Sequence, residues 1–386
     1  MTAFKNLMCL MAMGLLCSSL NSFAQTIELD ESLNETVQII PKKGLFTIDL
    51  ETTIYKPDGD GPFPIAVINH GKSSGDPKFQ GRYRPALAAR YFLQRGYAVV
   101  VPMRQGFSKS GGFYVGGGCN VESNGRAQAE DVKGVLDFIT QQSWADKSQI
   151  VVLGQSHGGW TTLAFGAGSY PGSYPGVKAL INFAGGLRQE GCIAWENNLA
   201  KGAADYGAKT KLPSLWFYGD NDSFFKPETY RAMFEKYTAA GGQAELVAFG
   251  TFGADAHSMF GSRNGSSIWQ PEVTKLLAKA GLPSEPLAAY AKFGASPARV
   301  LPARTDFAPL DDVSKLPNVR ESGRVGYADY LVRASPRAFA IGPSGAWGYA
   351  NGGDDPLQRA LSNCNRNGAG LCKLYSVDDF VVWKAE

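Results

Sequence analysis

Short apolar runs alternate with amphipathic segments from residue 63 to about residue 280, and this alternation restricts the fold more than any other feature. The apolar runs have the length and composition of buried β-strands: PIAVINH, AVVVP, QIVVL, VKALINFAG, LPSLWFYG and AELVAFG. Apolar residues recur at helical spacing in RPALAARYFLQRGY, AQAEDVKGVLDFITQQ, PETYRAMFEKYTAAG and IWQPEVTKLLAKAG. Strands that alternate with helices predict an α/β fold, in which helices cover both faces of a mainly parallel sheet.

The pattern changes after about Leu282, where proline-punctuated segments such as LPSEPL and LPARTDFAPL replace the alternation. Near the C-terminus, RAFAIG, AWGYA and LYSVDDFVVW are strand-like and DPLQRALSNC is helix-like. We therefore expect a small α+β module at this end, with a boundary somewhere between 280 and 325. The expected division is a signal segment at 1–24, a main domain at 25–285, and a linker with the C-terminal module at 286–386.

The N-terminal sequence MTAFKNLMCLMAMGLLCSSLNSFAQ is typical of a cleavable secretory signal. Lys5 precedes an apolar run, and the small residues of Ser22-Phe23-Ala24 stand where a signal peptidase reads. The apolar run has about ten residues, whereas a membrane-spanning helix needs roughly 20. We expect a mature chain that begins near Gln25, is secreted or periplasmic, and has no membrane attachment.

The charge balance gives no sign of a polyanionic partner. The formal net charge of +3 falls to +2 when the signal is removed, because Lys5 leaves and no acid does. Such a balance creates no strong field for nucleic acid or anionic membranes. We expect a small-molecule substrate, and the oligomeric state stays open.

Four of the six cysteines remain after the signal, namely Cys119, Cys192, Cys364 and Cys372. An even number in an exported protein suggests two disulfides rather than buried free thiols. Four cysteines permit three pairings. The simplest joins Cys364 to Cys372, which are close in sequence, and Cys119 to Cys192.

Two stretches match GxSxG, a pattern that places a nucleophilic serine on a sharp strand-to-helix turn. Gly154-Gln155-Ser156-His157-Gly158 follows QIVVL and precedes HGGWTTLAFGAG, which is small and apolar enough to begin a helix packed close to the sheet. Gly71-Lys72-Ser73-Ser74-Gly75 also follows a strand, but DPKFQGRYRP comes next, and its proline and charges indicate a longer loop. Ser156 is therefore the candidate nucleophile, and Gly154 and Gly158 are expected to leave room for the turn.

The chain has only three histidines, and their positions indicate different roles. His157 adjoins the candidate nucleophile and His70 ends a strand, so His257 in FGADAHSMF is the candidate general base. The oxyanion that develops during acyl transfer needs two N–H donors, which we assign to the backbone of His157 and of the Gly71-Lys72 loop. No HExxH motif or clustered His/Cys set points to a metal, and no cofactor is expected.

The base needs an acid to orient it, and the turn WFYGDNDSFF offers two. Asp222 is favoured over Asp220, because Asp220 lies at the start of the turn, where aspartate commonly bonds its own backbone. Asp255 stays open, although it is only two residues from His257. The order Ser156, Asp222, His257 is one of the known chain orders of a Ser-His-Asp triad.

These motifs together resemble those of the α/β-hydrolase superfamily, especially its dienelactone-hydrolase-like and prolyl-oligopeptidase-like esterase branches. The stretches concerned are GQSHGG, NHG, RQGFSKSGG, YGDND and DAHSMF, and the resemblance covers about residues 35 to 280. It implies an eight-stranded, mostly parallel sheet and serine hydrolysis of a carboxylic ester or amide. Serine stands where dienelactone hydrolases proper have a cysteine nucleophile, so their substrate is not carried over.

The segment between VKALINFAG and LPSLWFYG is too short for a large cap domain, so we expect an open site with a rim stiffened by a Cys119–Cys192 bridge. Arg104 in PMRQG is a candidate to meet a substrate carboxylate, although a neighbouring acid is the favoured partner. Aromatic residues near the motifs are candidates for the pocket wall, although such side chains more commonly lie in the core. They are Tyr114, Trp160, Trp195, Phe224, Phe225 and Phe260.

An exported serine carboxylesterase is the favoured function, because the candidate site is complete and uncapped. A serine peptidase of the prolyl-oligopeptidase type would share the triad, but such enzymes usually place a large propeller domain before the hydrolase. A non-catalytic binding protein on a hydrolase scaffold would normally lack a triad member, and none is missing here.

Overall fold

The computed structural model of the chain describes residues 29–73, 75–168, 174–294, 301–333, 335–351, 355–368 and 371–384. The expected signal segment, residues 1–24, lies outside these ranges. Two β-sheets organise the described residues, one with eight strands and one with four.

The eight-stranded sheet is mostly parallel. Its strands are β1 (Glu35–Lys42), β2 (Ile48–Tyr55), β3 (Phe63–Asn69), β4 (Ala98–Pro102), β5 (Ala145–Gln155), β6 (Val177–Phe183), β7 (Ser214–Tyr218) and β8 (Ala244–Ala248). They lie in the order β1-β2-β4-β3-β5-β6-β7-β8. Strand β2 is antiparallel to both its neighbours, and every pair from β4 to β8 is parallel.

Helices cover both faces of this sheet. One face carries α2 (Val121–Ile139), α3 (His157–Gly166), α4 (Trp195–Gly207) and α5 (Pro227–Ala239), and the other carries α1 (Ala86–Leu93) and α6 (Ser266–Lys279). In β3, Ile65 and Val67 belong to the core of the first face, whereas Ala66 and Ile68 belong to that of the second. Successive side chains of a strand alternate between its faces, so both cores meet at the strands. The predicted α/β fold is confirmed.

Two boundaries differ from the sequence pattern. Helix α2 begins at Val121 rather than Ala127, because the side chain of Asn120 caps it by accepting a hydrogen bond from the Ser123 amide at 3.0 Å. Helix α4 is not predicted at all. Its sequence WENNLAKGAADYG is polar and contains glycine. The residue before it, Ala194, has no side chain that could cap the helix.

The four-stranded sheet forms the C-terminal module and is antiparallel throughout. Its strands are β9 (Arg337–Ile341), β10 (Trp347–Asn351), β11 (Lys373–Val377) and β12 (Phe380–Val381), in the order β10-β9-β11-β12. Helices α7 (Glu321–Leu331) and α8 (Pro356–Gly368) pack against it. The expected small α+β module is thus present, while the exact division of the chain into domains stays a prediction.

Two disulfides are present, Cys119–Cys192 and Cys364–Cys372, and these are the pairings expected from the sequence. Disulfides form and persist in oxidising compartments. Among the residues that the structure describes, no helix is both long enough and apolar enough to cross a membrane.

Candidate active site

Ser156 lies on a tight turn between the end of β5 and the start of α3. Its backbone has φ 56° and ψ −126°, a region that residues with a side chain rarely adopt. The Ser156 amide donates to the Phe183 carbonyl at 2.9 Å, and the Ser156 carbonyl accepts from the Trp160 and Gly186 amides. Such strain persists only where the surroundings enforce it, and it is common at functional sites.

The glycines around Ser156 enforce the turn. A Cβ at Gly154 would lie 2.3 Å from the Gly158 carbonyl oxygen, and one at Gly158 would lie 2.0 Å from the Asn69 carbonyl oxygen. Both contacts are to backbone, which cannot swing away as a side chain would. The expectation that these two glycines leave room for the turn is therefore confirmed.

Replacing Gly158 with alanine is expected to lower the free energy of unfolding by about 3 kcal/mol or more, because overpacking against the β3 backbone must be relieved by moving the turn. Urea unfolding of the purified variant measures this loss. Gly191→Ala is the matched control, since nothing lies within 4 Å of a Cβ there. Equal stability of the two variants would contradict the packing argument.

His257 and Asp222 meet at the same edge of the sheet, in the loops that follow β8 and β7. His257 Nδ1 lies 3.0 Å from Asp222 Oδ2 and 3.2 Å from Oδ1. Asp222 is buried, and its Oδ1 also accepts from the amides of Phe224 and Phe225. A buried carboxylate in this position holds the proton on Nδ1, which leaves Nε2 of the imidazole free to accept a proton.

The other two aspartates considered from the sequence have different contacts. Asp220 accepts a hydrogen bond from the Tyr230 hydroxyl at 3.2 Å. Asp255 accepts from the backbone amide of His257 at 2.9 Å and from Ser223. Asp255 therefore fixes the loop of His257, whereas Asp222 contacts the ring itself.

The residue before Ser156 connects it to the loop of His257. The side-chain amide of Gln155 donates to the His257 carbonyl at 2.7 Å, so the two loops are joined directly. Sequence reasoning does not single out Gln155, because the variable positions of GxSxG carry no expectation of their own. The parallel strands explain why residues so far apart in sequence meet here, since their carboxyl ends share one edge.

The loop after β3 lies against Ser156 from the other side. A Cβ on Gly71 would lie 3.3 Å from Ser156 Cβ, and the Gly71 carbonyl accepts from the Gln80 side chain at 3.0 Å. His157 is the first residue of α3, where helix amides have no partner within the helix. The Lys72 ammonium donates to the carbonyls of Ser73 and Gly75, so only its backbone fits the role expected for it.

Of the six aromatic residues proposed for the wall, three are at least partly exposed and three are buried. Phe224 is 42% exposed, and its ring lies 4.5 Å from that of His257. The Tyr114 ring lies 5.9 Å from that of His157, and Trp195 is half-buried beside Arg188. Trp160 is a core residue, because it is fully buried against Tyr206. Its indole N–H donates a hydrogen bond to the Val121 carbonyl. Two further aromatics are also buried, namely Phe225 and Phe260.

The rim of the site is crosslinked. The Cys119–Cys192 disulfide joins the loop that follows β4 to the loop that follows β6. A hydrogen bond from the Gln189 side chain to the Gly116 carbonyl joins the same two loops at 3.4 Å. The rim is therefore built from short segments of different loops, as expected from the absence of room for a cap.

The C-terminal module contacts the loop that follows β3. Arg84 and Asp355 form an ion pair at 3.5 Å. A Cβ on Gly81 would lie 2.9 Å from Ser362 Oγ, so α8 lies directly on this loop. Gln80, which bonds Gly71, immediately precedes Gly81, and the module thus supports the segment nearest Ser156.

The strand order, the strained serine after β5 and the loops that converge on it agree with a comparison against known families. Residues 44–204, which are less than half of the chain, match the family described as X-Pro dipeptidyl-peptidase (S15 family). The eight-stranded sheet, its helices and this match identify the fold as that of the α/β-hydrolases. The match supports a hydrolase of the esterase or peptidase type.

Solved structures with related folds are distant in sequence. An esterase from Pyrococcus furiosus is 16% identical to this chain. The alignment covers 65% of this chain and 93% of the esterase, with a TM-score of 0.47. Esterase 2 of Thermogutta terrifontis is 20% identical, and the alignment covers 66% of this chain and 98% of the esterase, with a TM-score of 0.47. A puromycin-hydrolysing peptidase of Mycobacterium tuberculosis is 16% identical, and the alignment covers 66% of this chain and 40% of the peptidase, with a TM-score of 0.46. No curated protein matches the sequence significantly.

Proposed function

We propose that this α/β-hydrolase is an exported serine hydrolase that cleaves carboxylic esters through Ser156, His257 and Asp222. The contact between His257 Nδ1 and the buried Asp222 carboxylate carries the proposal, because it orients an imidazole at the edge where Ser156 is held. An imidazole with one nitrogen fixed by a carboxylate and the other free is the arrangement that a general base requires.

The proposed reaction has two halves. Ser156 Oγ attacks the ester carbonyl carbon while its proton passes to His257 Nε2, and the oxyanion accepts hydrogen bonds from the His157 amide and the Gly71-Lys72 loop. The tetrahedral intermediate expels the alcohol, which takes the proton from His257, and an acyl-enzyme remains. Water then attacks the acyl group, gives a proton to His257, and the serine leaves with that proton as the acid is released.

The charge next to the proposed oxyanion loop favours an ester over a peptide with a free N-terminus. The Lys72 ammonium lies 5.6 Å from the Tyr114 ring, and the pKa of Lys72 is lowered by burial. A peptidase that removes residues from an N-terminus must bind an ammonium group close to its nucleophile. A lysine in that place repels such a group.

The match to a peptidase family supports a second candidate, an amidase or peptidase that uses the same three residues. A third possibility is a binding protein on a hydrolase scaffold without catalysis. For all three, the two disulfides and the N-terminal sequence support export to an extracellular or periplasmic compartment.

A fluorophosphonate probe tests the proposed nucleophile. The purified mature protein is expected to react once per chain, because an activated serine attacks the phosphorus as it would an ester carbonyl. Mass spectrometry of the digested protein should find the adduct on the peptide that contains Ser156. No adduct would leave the binding protein as the better description, whereas an adduct elsewhere would assign the nucleophile to another residue.

The choice between ester and amide is a separate measurement. We expect p-nitrophenyl butyrate to be hydrolysed with a higher kcat/KM than alanyl-proline p-nitroanilide. Faster hydrolysis of the anilide would replace the esterase proposal with the peptidase.

A further inference from the structure

Arg104, in the loop that follows β4, is fully buried beneath the candidate site. Its Nε donates to Gln128 Oε1 at 3.1 Å, and its Nη2 lies 3.2 Å from His157 Nδ1. Its Nη1 is buried and has no hydrogen-bond partner among the described residues. A neighbouring acid was expected as its partner, but no acid among the described residues forms an ion pair with it; Asp131 in α2 pairs with Lys42.

The hydrogen bonds around Arg104 fix the protons on both neighbouring histidines. The Arg104 amide donates to His70 Nε2 at 3.0 Å, so the proton of His70 is on Nδ1, which donates to the Gly71 carbonyl at 2.7 Å. Asn124 uses its amide NH₂ on Tyr114, Val115 and Gly116, so its Oδ1 accepts from His157 Nε2 at 2.7 Å. His157 Nδ1 is then an acceptor for the Arg104 guanidinium.

Both histidines are neutral, which leaves Arg104 as the one charge within this set of contacts. Burial, followed by the charge of Arg104, holds the pKa of His70 and of His157 well below the usual range. Burial also lowers the pKa of Arg104 to about 9, and the guanidinium still carries its proton at neutral pH. Burying an ion without an opposite charge in contact costs several kcal/mol.

Arg104 therefore connects the two segments from which the proposed oxyanion donors come. Its backbone holds His70, and His70 holds the Gly71 carbonyl; its guanidinium holds the side chain of His157. A charge acts more strongly in a buried, poorly polarisable place than in water.

We propose that Arg104 is a positioning residue of the oxyanion site, whose guanidinium orients His157 and stabilises the oxyanion with its buried positive charge. This inference rests on the proposed function, because it presupposes that an oxyanion forms at Ser156. Arg104 does not contact substrate, since its side chain is inaccessible.

The test compares Arg104→Met, Arg104→Gln and Arg104→Lys with the wild-type protein in hydrolysis of p-nitrophenyl butyrate. Arg104→Met is expected to lower kcat by about 10²-fold, the scale of losing one oxyanion donor, with KM changed less than about threefold. The kcat of Arg104→Gln, which also lacks the charge, should fall by a similar factor. Arg104→Lys keeps the charge and should retain a kcat at least about tenfold above that of Arg104→Met.

Thermal unfolding separates this role from a structural one. Arg104→Met removes the desolvation cost of the buried ion but leaves Gln128 Oε1 and His157 Nδ1 without a donor; because these two effects oppose each other, we expect only a small change in the unfolding temperature. Arg95→Met is the control, because Arg95 is also buried but bonds the Tyr91 and Ser284 carbonyls away from the site; its kcat should equal the wild-type value.

Two results would overturn the inference while leaving the proposed function intact. One is a kcat of Arg104→Met and Arg104→Gln equal to that of the wild-type protein. The other is a joint fall of kcat and unfolding temperature in all three variants, with no recovery in Arg104→Lys. If Arg104→Met does not fold, the comparison of Arg104→Gln with Arg104→Lys decides the matter. A wild-type protein that neither hydrolyses the ester nor reacts with the fluorophosphonate would instead reject the proposed function itself.

Discussion

Replacement of Ser156 with alanine is expected to lower kcat for p-nitrophenyl butyrate by about 10⁶-fold, because the nucleophile and its base act as a unit. The fold should be unaffected, since the Ser156 backbone, and not its hydroxyl, makes the turn's hydrogen bonds. A steady-state assay with circular dichroism as a check of folding measures both. His257→Ala should lose a similar factor.

The second serine of the GxSxG type is the matched control. Ser73 lies in the loop after β3, and its amide donates to the Gln80 side chain at 2.8 Å, a bond that alanine keeps. Ser73→Ala is therefore expected to hydrolyse the ester within a factor of about two of the wild-type rate. A large loss in Ser73→Ala, or a normal rate in Ser156→Ala, would mean that the wrong serine has been chosen.

Replacement of Asp222 with asparagine is expected to lower kcat by about 10⁴-fold with little change in size or packing. An asparagine can still contact His257 Nδ1, but its NH₂ group donates where the carboxylate accepts, and the imidazole then presents the wrong nitrogen to Ser156. The same ester assay measures the loss of kcat. The midpoint of urea unfolding should stay close to the wild-type value.

Asp220→Asn is the control for this measurement. Asp220 is exposed and bonds the Tyr230 hydroxyl rather than His257, so we expect its variant to retain nearly full activity. Asp255→Asn should lie between the two, because it loosens the loop that carries His257 without touching the ring. If Asp220→Asn or Asp255→Asn lost more activity than Asp222→Asn, the orienting acid would have to be reassigned.

The parts of the fold that were predictable are those with strong local periodicity. Strands β3 to β8 are short apolar runs, and a parallel sheet buries such runs on both faces, so their sequence reports their position. The tight turn at Ser156 was equally accessible, because Gly154 and Gly158 are needed by the close approach of backbone on both sides. The even number of cysteines predicted two disulfides, and the simplest of the three possible pairings is the one present.

Other parts depend on contacts that no local pattern reveals. Helix α7 has the sequence ESGRVGYADYL, whose two glycines argue against a helix, yet both pack against the Trp347 ring, where a larger side chain would collide. The role of Arg104 was also misjudged, because the expected partner was an acid and the actual partners are neutral residues from three different segments. Tertiary packing, rather than propensity, decides both cases.

The support that α8 gives to the loop after β3 has a consequence for biosynthesis. A ribosome completes Ser156, Asp222 and His257 well before it reaches Ser362, and an export channel delivers residues in the same order. If the proposed export takes place, a partly translocated chain has its proposed nucleophile and base but lacks the surface on which Gly81 rests. On the proposed function, full hydrolytic competence would then arise only when the last residues have emerged and folded, so that an unfinished chain would not attack esters during its export.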